Sequence, residues 1–578
     1  MMQSFTALLI ARFRGPERCQ RRPNWLCSRQ GDCLNAQRDG RAGTELTPQH
    51  ASLVVLVAAC VAHYWICSLL SSDIALDVDP INLAYGMREF NLAHHAPHPP
   101  GYLVYIGMLR GLHAIIGGAP LHTLQLAARL LSTATIPLLY AAVRVLRPQS
   151  PFAWAYAAAL GAFQPFLVFH AVDAQTHTAE AFAAALLLLA VVRYRQEPSA
   201  ASATWLGLLL AFGSSLRPSF VVAGIGPIIW AIGWRRLTHL AAAGLTSILG
   251  AAAWIVPTLL ASGGYSRWKA ANDALVQQVF VRVNSPLSAE SLDDFVLYSV
   301  SNTLLWLVLL VAPAAVVMIA RIGTERPPDP ANDQARSIAL WALVPSAVFY
   351  LAFFCSEPGY LLGAMPPVVA LTAVAASGVQ APIRRRVCFG LGAMTEIAIL
   401  MLPAAPTGAP IGKIPSIPEL VGREAIYGAA IDRIAEQVPP GAKVLYVTDF
   451  VDITLSRQLP MQRPGLHSMI VHSEYWPIFD HTTMGVATED DWIPIPGPAL
   501  LQPGPPTIRD LPFSYDFVVV GLIASPDLRD ELRKQTPCDV DEVEGSMSLR
   551  VLPTRQCFPR GVIEVHGQGV RFKVPNSY

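Results

Sequence analysis

Between residues 77 and 105 the chain reads DVDPINLAYGMREFNLAHHAPHPPGYLVY, a stretch that concentrates groups able to move protons. It holds the carboxylates of Asp77, Asp79 and Glu89 and the imidazoles of His94, His95 and His98, set directly between two apolar segments. Titratable groups beside a bilayer are costly unless they are used, so a reacting loop is expected here. A carboxylate in such a loop can take up a proton, and Asp77, Asp79 and Glu89 are the ones on offer. The stretch ends in His98-Pro99-Pro100-Gly101-Tyr102, where the prolines fix φ and the direction of His98, and the run that follows is free to form a helix. His94 and His95 read as loop-surface residues, because polar loop residues need no special cause.

Three further positions could serve the same chemistry. Arg129 and Arg217 fall at the ends of apolar segments, where a guanidinium can grip a phosphate through paired charge-assisted hydrogen bonds or simply snorkel to the headgroups. The turn from His170 to Glu180, if helical, carries Asp173, His177 and Glu180 on one face. Glu180 leads straight into AFAAALLLLAVV. A helix N-terminus favours a carboxylate there, and an inward-facing functional carboxylate is the rival reading.

These residues must be positioned by membrane-embedded elements. With 53% hydrophobic and 14% charged residues, against roughly 25% charged in an ordinary soluble domain, the chain reads as a polytopic α-helical membrane protein. Its net charge of +1 gives no footprint for nucleic acid, and no such partner is expected. Apolar segments of about spanning length, roughly 20 residues, recur near residues 51–71, 122–146, 151–170, 178–194, 203–216, 219–234, 239–261, 297–320, 337–355, 361–380 and 387–404. About eleven transmembrane helices are therefore expected.

Orientation turns on Gly101 to Gly118, an apolar run that contains Arg110 and His113. Read as a juxtamembrane or re-entrant helix, it leaves the later arginine clusters on the same cytoplasmic side as the arginine-rich residues 1–46, which lack a signal-peptide pattern and read as a tail. The first loop, residues 72–121, then lies outside the cytoplasmic membrane, in a transmembrane domain of residues 47–404. The stretch from Ser262 to Val296 reads as an interfacial helix or a lid over bound lipid.

After residue 404 a proline- and glycine-rich linker opens a small extracytoplasmic α/β domain, residues 405–578. Lys443–Thr448 and Tyr515–Gly521 read as buried strands and Ala425–Gln437 as a helix, while the proline-rich 491–512 segment is expected to be irregular. Cys538 and Cys557 flank a possible hairpin at Glu544-Gly545 and suit a disulfide. Cys19, Cys27 and Cys33 lack metal-site spacing and read as reduced thiols. P-loop, zincin, nucleophile-elbow and CxxC patterns are absent from the sequence.

Four stretches together resemble the GT-C membrane glycosyltransferases, in particular the protein O-mannosyltransferase and aminoarabinose-transferase type and a bacterial group with an HPPG motif. They are Asp79 in the first loop, His98-Pro99-Pro100-Gly101-Tyr102, Ala128-Arg129-Leu130-Leu131-Ser132, and Tyr360-Leu361-Leu362-Gly363-Ala364-Met365-Pro366-Pro367. The resemblance covers about residues 53–378, and Glu180 in TAEAF is similar to the acidic residue heading the corresponding helix in the HPPG group. Two positions depart from the pattern: Asn82 replaces a second acidic residue, and Gly359 stands where arginine is common.

The resemblance implies transfer of a sugar from a polyprenyl-phosphate donor to an acceptor hydroxyl at the outer membrane face, by single displacement and with inversion. Asp79, or its neighbour Asp77, is the base, and His98, Tyr102, Arg129, Glu180 and Arg217 bind substrate. The acceptor is a protein, lipid or polysaccharide, and no cofactor is expected. A metal-dependent variant would draw on Asp77, Asp79, His95, His98 and Glu180. A transporter or a non-catalytic envelope scaffold is the alternative class, although the internal repeat typical of transporters is not evident.

Overall fold

The computed structural model describes residues 47–92, 95–275, 300–322, 329–352, 357–405, 413–448, 453–463, 467–472, 479–480, 509–521, 526–540, 549–565 and 570–573. The arginine-rich tail with its three cysteines, His94, the outer loop beyond Leu275, most of the proline-rich 491–512 segment and the Glu544-Gly545 hairpin lie outside them.

Long apolar helices dominate the first four hundred residues. They are α1 (Pro48–Leu70), α2 (Val78–Arg88), α3 (Leu103–Ile116), α4 (Pro120–Leu146), α5 (Pro151–Phe163), α6 (Pro165–Asp173), α7 (His177–Gln196), α8 (Ala200–Leu216), α9 (Phe220–Ile232), α10 (Leu237–Ala261), α11 (Tyr265–Leu275), α12 (Ser301–Ala320), α13 (Pro330–Ala352), α14 (Met365–Ser377) and α15 (Pro382–Leu400). Six of them, α1, α4, α7, α10, α12 and α13, are long and apolar enough to cross a bilayer, and the pair α5 and α6 forms a seventh span bent by 44° if counted as one. This is a multi-pass membrane protein. Among the described residues, length and apolarity alone account for six or seven of the eleven expected crossings: α8, α9 and α14 are shorter apolar helices of 10–17 residues, and α15, though 19 residues long, carries Arg384, Arg385, Arg386 and Glu396. At 1.5 Å per residue α3 runs roughly 21 Å, less than the roughly 30 Å hydrocarbon core.

Local chemistry explains the helix ends and the bend. Pro165 cannot donate into the α5 ladder, so the helix stops at Gln164, whose side-chain oxygen accepts the Leu167 N–H at 3.0 Å and caps α6. Every residue of the restarted helix is buried. Buried His63 ties α1 to its neighbours through Ser132 Oγ at 2.9 Å and the Ala162 carbonyl at 2.8 Å. Small residues let other helices approach closely: a Cβ on Gly207 would strike the Ala243 carbonyl on α10, and one on Gly226 would strike the Trp341 carbonyl on α13.

The C-terminal part is a small α/β unit. Its helix α16 (Ile417–Gln437) starts two turns earlier than expected, because Ser416 accepts the Glu419 N–H and Pro418 suits the first turn. β1 (Lys443–Thr448) is followed by α17 (Ile453–Gln462), β2 (His467–His472), β3 (Phe479–Asp480), β4 (Arg509–Ser514), β5 (Phe517–Val520), α18 (Pro526–Arg533), β6 (Arg550–Pro553), α19 (Thr554–Cys557), β7 (Val562–Val565) and β8 (Val570–Lys573). The five-stranded sheet has the order β3-β2-β1-β5-β6, with β1 parallel to both β2 and β5. A strand with parallel partners on both sides is apolar throughout, as Val444, Leu445, Tyr446 and Val447 are here. Cys538 and Cys557 are disulfide-bonded across a sequence separation of 19.

Gly207→Val drives a branched side chain into the α10 backbone. It is expected to cost about 1–3 kcal/mol, read as a lower unfolding temperature of the detergent-solubilised protein.

Candidate active site

The reacting loop is built on α2. Asp77 accepts the Asp79 N–H at 3.3 Å and so caps the helix, which carries Asp79 into its first turn. At the other end Arg110 on α3 donates to the Gly86 and Met87 carbonyls, both at 2.9 Å. The charge that makes a full crossing by α3 awkward is therefore a C-terminal cap for α2. The loop from Glu89 to Tyr102 folds back so tightly that a Cβ on Gly86 would sit 2.8 Å from Pro97. Trp268 on α11 closes over it, donating to the Pro100 carbonyl at 3.2 Å.

Three non-glycine residues hold positive φ among the described residues: His95 at 51°, Tyr102 at 46° and Ala174 at 60°. Two flank the His-Pro-Pro-Gly turn and the third follows Asp173. Such conformations cost about 1–3 kcal/mol each and gather at functional sites. At Tyr102 the left-handed backbone sends the phenol back onto His98, with ring centroids 4.9 Å apart. His95 is buried, against the loop-surface position expected for it.

Four polar contacts then organise the centre. Asp79 Oδ1 lies 3.5 Å from His98 Nδ1, and His98 Nε2 lies 3.1 Å from the Tyr102 hydroxyl. Burial holds the His98 imidazole below its ordinary value, Asp79 opposes that, and the Arg217 and Arg457 guanidiniums add to it. The ring is thus neutral near pH 7. With Nδ1–H turned to Asp79, Nε2 accepts from Tyr102, whose phenol burial raises to about 12.

In the second contact Arg217 Nε lies 3.1 Å from Glu180 Oε2 while Nη1 donates to Thr176 Oγ1 at 2.5 Å. Its guanidinium stands 4.9 Å above the Tyr360 ring. The third joins Lys413 Nζ to Asp77 Oδ2 and, at 2.6 Å, to Glu357 Oε1, while His177 Nε2 approaches Glu357 Oε2 at 3.7 Å. Burial holds the Glu357 carboxyl well above the ordinary carboxylate value, with the Asp79 and Asp173 charges adding to it. In the fourth, Gln175 donates to Asp173 at 2.8 Å.

The structure thus brings Asp77, Asp79, His98, Tyr102, Glu180 and Arg217 into one connected centre. Arg129 is held elsewhere: its Nε donates to the Gln125 carbonyl at 3.2 Å and its guanidinium lies 5.8 Å from the Tyr64 ring. The single helical face expected for Asp173, His177 and Glu180 is broken at Ala174, where α6 ends and a new helix begins at His177. His177 and Glu180 still meet, at 3.9 Å. Metal-capable groupings among the described residues are His170, His177 and Glu357, and Asp77, Asp173 and Glu357, rather than the set built on Asp79, His95 and His98.

Sequence reasoning did not assign Glu357, Lys413 or Arg457 to the site. Lys413 left one signal, being the lone charge in the linker PAAPTGAPIGKIPSIP. Arg457 comes from the C-terminal domain, which docks on the loop through α17. Gln458 pairs with both the N–H and the carbonyl of Ala75, at 3.0 and 3.2 Å, and Tyr85 donates to the Arg457 carbonyl at 2.9 Å.

No family model matches this sequence, and no curated protein matches it by sequence. Among solved structures the chain is similar to ArnT from Cupriavidus metallidurans. The form bound to undecaprenyl phosphate gives a TM-score of 0.51 at 15% identity, covering 86% of this chain and 97% of that one. The apo form gives 0.52 at 15% identity, covering 88% and 98%. The Archaeoglobus fulgidus oligosaccharyltransferase in its apo form gives 0.37 at 13% identity, covering 72% and 64%. The chain shares the fold of ArnT.

Arg217 and Glu180 are a buried pair, so removing one partner strands the other. Arg217→Met is expected to destabilise the protein by about 3–5 kcal/mol, with Glu180→Gln recovering part of the loss in the double variant, measured by denaturant unfolding in detergent.

Proposed function

We propose that this protein is a glycosyltransferase that moves a sugar from a polyprenyl-phosphate donor to an acceptor hydroxyl at the outer face of the cytoplasmic membrane. The observation that carries the reading is the difference between the two loop carboxylates. Asp79 keeps 30% of its side chain exposed and among the described residues meets His98 at 3.5 Å, whereas Asp77 keeps 11% and is committed to the α2 cap and Lys413. Asp79 is therefore the base and Asp77 a positioning residue.

A sugar or protein hydroxyl is a poor nucleophile until its proton has somewhere to go. Asp79 accepts that proton as the oxygen attacks C1 and the bond from C1 to the phosphate oxygen breaks, so one displacement inverts the anomeric centre. The departing lipid phosphate gathers negative charge, and Arg217 and Arg457, whose fields both reach His98, are the cations proposed to meet it. Glu180 and Thr176 fix the Arg217 fork, so they act on the substrate through it. His98 and Tyr102 orient Asp79. Arg129 has no part in this reading. The likeness in fold to ArnT, one of whose structures holds undecaprenyl phosphate, supports a polyprenyl donor.

Asp79→Asn is expected to lower transfer by about 100- to 10,000-fold with insertion and unfolding temperature unchanged, assayed with purified protein and a radiolabelled polyprenyl-phosphate sugar. Full activity in that variant removes Asp79 as the base. Solute uptake into vesicles without any glycosylated product overturns the transferase reading altogether.

A further inference from the structure

We propose that Lys413 is a tethered cation, filling an acidic pocket that a divalent metal ion could otherwise occupy and fastening the chain beyond α15 to the reacting loop. Asp77, Asp173 and Glu357 bring three carboxylate oxygens within 4.8 Å of one another, a grouping fit for an oxygen-seeking cation. The Lys413 ammonium touches two of the three, Asp77 Oδ2 and Glu357 Oε1. Asp173 Oδ1, on the third, is buried without a hydrogen-bond partner among the described residues.

Carboxylates gathered away from water need a positive charge, and an ammonium with three donors can bridge them as a metal would. The lysine is delivered by anchored chain. The indole of fully buried Trp306 donates to the Lys413 carbonyl at 2.9 Å. On one side of it Ala405 donates to Glu419 at 2.9 Å, and on the other Ser416 caps α16. Because Asp77 caps the helix that carries Asp79, the contact of Lys413 with Asp77 helps set where the base stands. The catalytic consequence rests on the function proposed above; the cation-binding consequence does not.

The test uses the full-length protein in detergent with Mn2+ as the probe, followed by electron paramagnetic resonance. Lys413→Ala is expected to bind one Mn2+ about tenfold or more tighter than the unaltered protein, and Glu357→Gln added to it should abolish the gain. Transfer by Lys413→Ala should fall about 100-fold, the scale of a misplaced base, and return with Mn2+, whereas a chelator leaves the unaltered protein's activity intact. Lys413→Met, which keeps the aliphatic stem and is purified in Mn2+ throughout, guards against simple misfolding. A folded lysine variant that binds no Mn2+, or an unaltered protein that binds Mn2+ through Glu357, overturns the proposal. Tight Mn2+ binding by the variant in a protein that transfers no sugar at all upholds it and discards the transferase reading instead.

Discussion

Carboxylates brought together out of water constrain this structure more than any other feature. Asp77, Asp79, Asp173, Glu180 and Glu357 converge from three separate stretches of chain, and each must be met by a donor or a cation. Glu180 has Arg217, Asp77 and Glu357 share Lys413, Asp173 has Gln175, and Asp79 has His98. The bent α5–α6 pair, the restart at His177 and the short connection after α13 are what deliver these acids to one place. The described non-glycine residues with positive φ, His95, Tyr102 and Ala174, lie on the connections around these acids, where protein rather than lipid can satisfy irregular backbone.

That arrangement also sorts the acids by duty. Four of the five have little water and close partners, so they fix geometry. The fifth, Asp79, is the most exposed and has the loosest contact, which suits the role of base proposed for it. Glycines at 359 and 363 keep the wall thin: a Cβ at Gly363 would stand 2.7 Å from Glu180, and one at Gly359 would enter the His177 ring. Glycine at position 359, which departs from the arginine common in the family the sequence resembles, thus has a packing reason in this chain.

Much of this was legible in the amino-acid order, and the reasons for the rest are physical. Asp79, His98 and Tyr102 stood out because polar groups were crowded between apolar runs, and β1 and β5 because β-branched runs were bounded by turn residues. Arg217 was visible as a charge at the end of an apolar segment. Glu357 and Lys413 are single residues in short connectors, 56 positions apart, and periodicity reports only on neighbours three or four residues away. Arg129 carried the same sequence signal as Arg217, yet its helix turns it toward Tyr64. Six or seven of the eleven expected spans are long and apolar enough among the described residues, and α8 and α9 fall short of that length because they are joined at Arg217 and Pro218.

The grip of Gln458 on Ala75 has an evolutionary corollary. A carboxamide that reads a peptide unit, donating to its carbonyl and accepting from its N–H, takes no notice of which side chain that residue bears. The extramembrane unit and the first loop can therefore drift in sequence independently and still stay joined. Docking of this kind constrains the backbone at the joint and leaves the side chain at position 75 free to change.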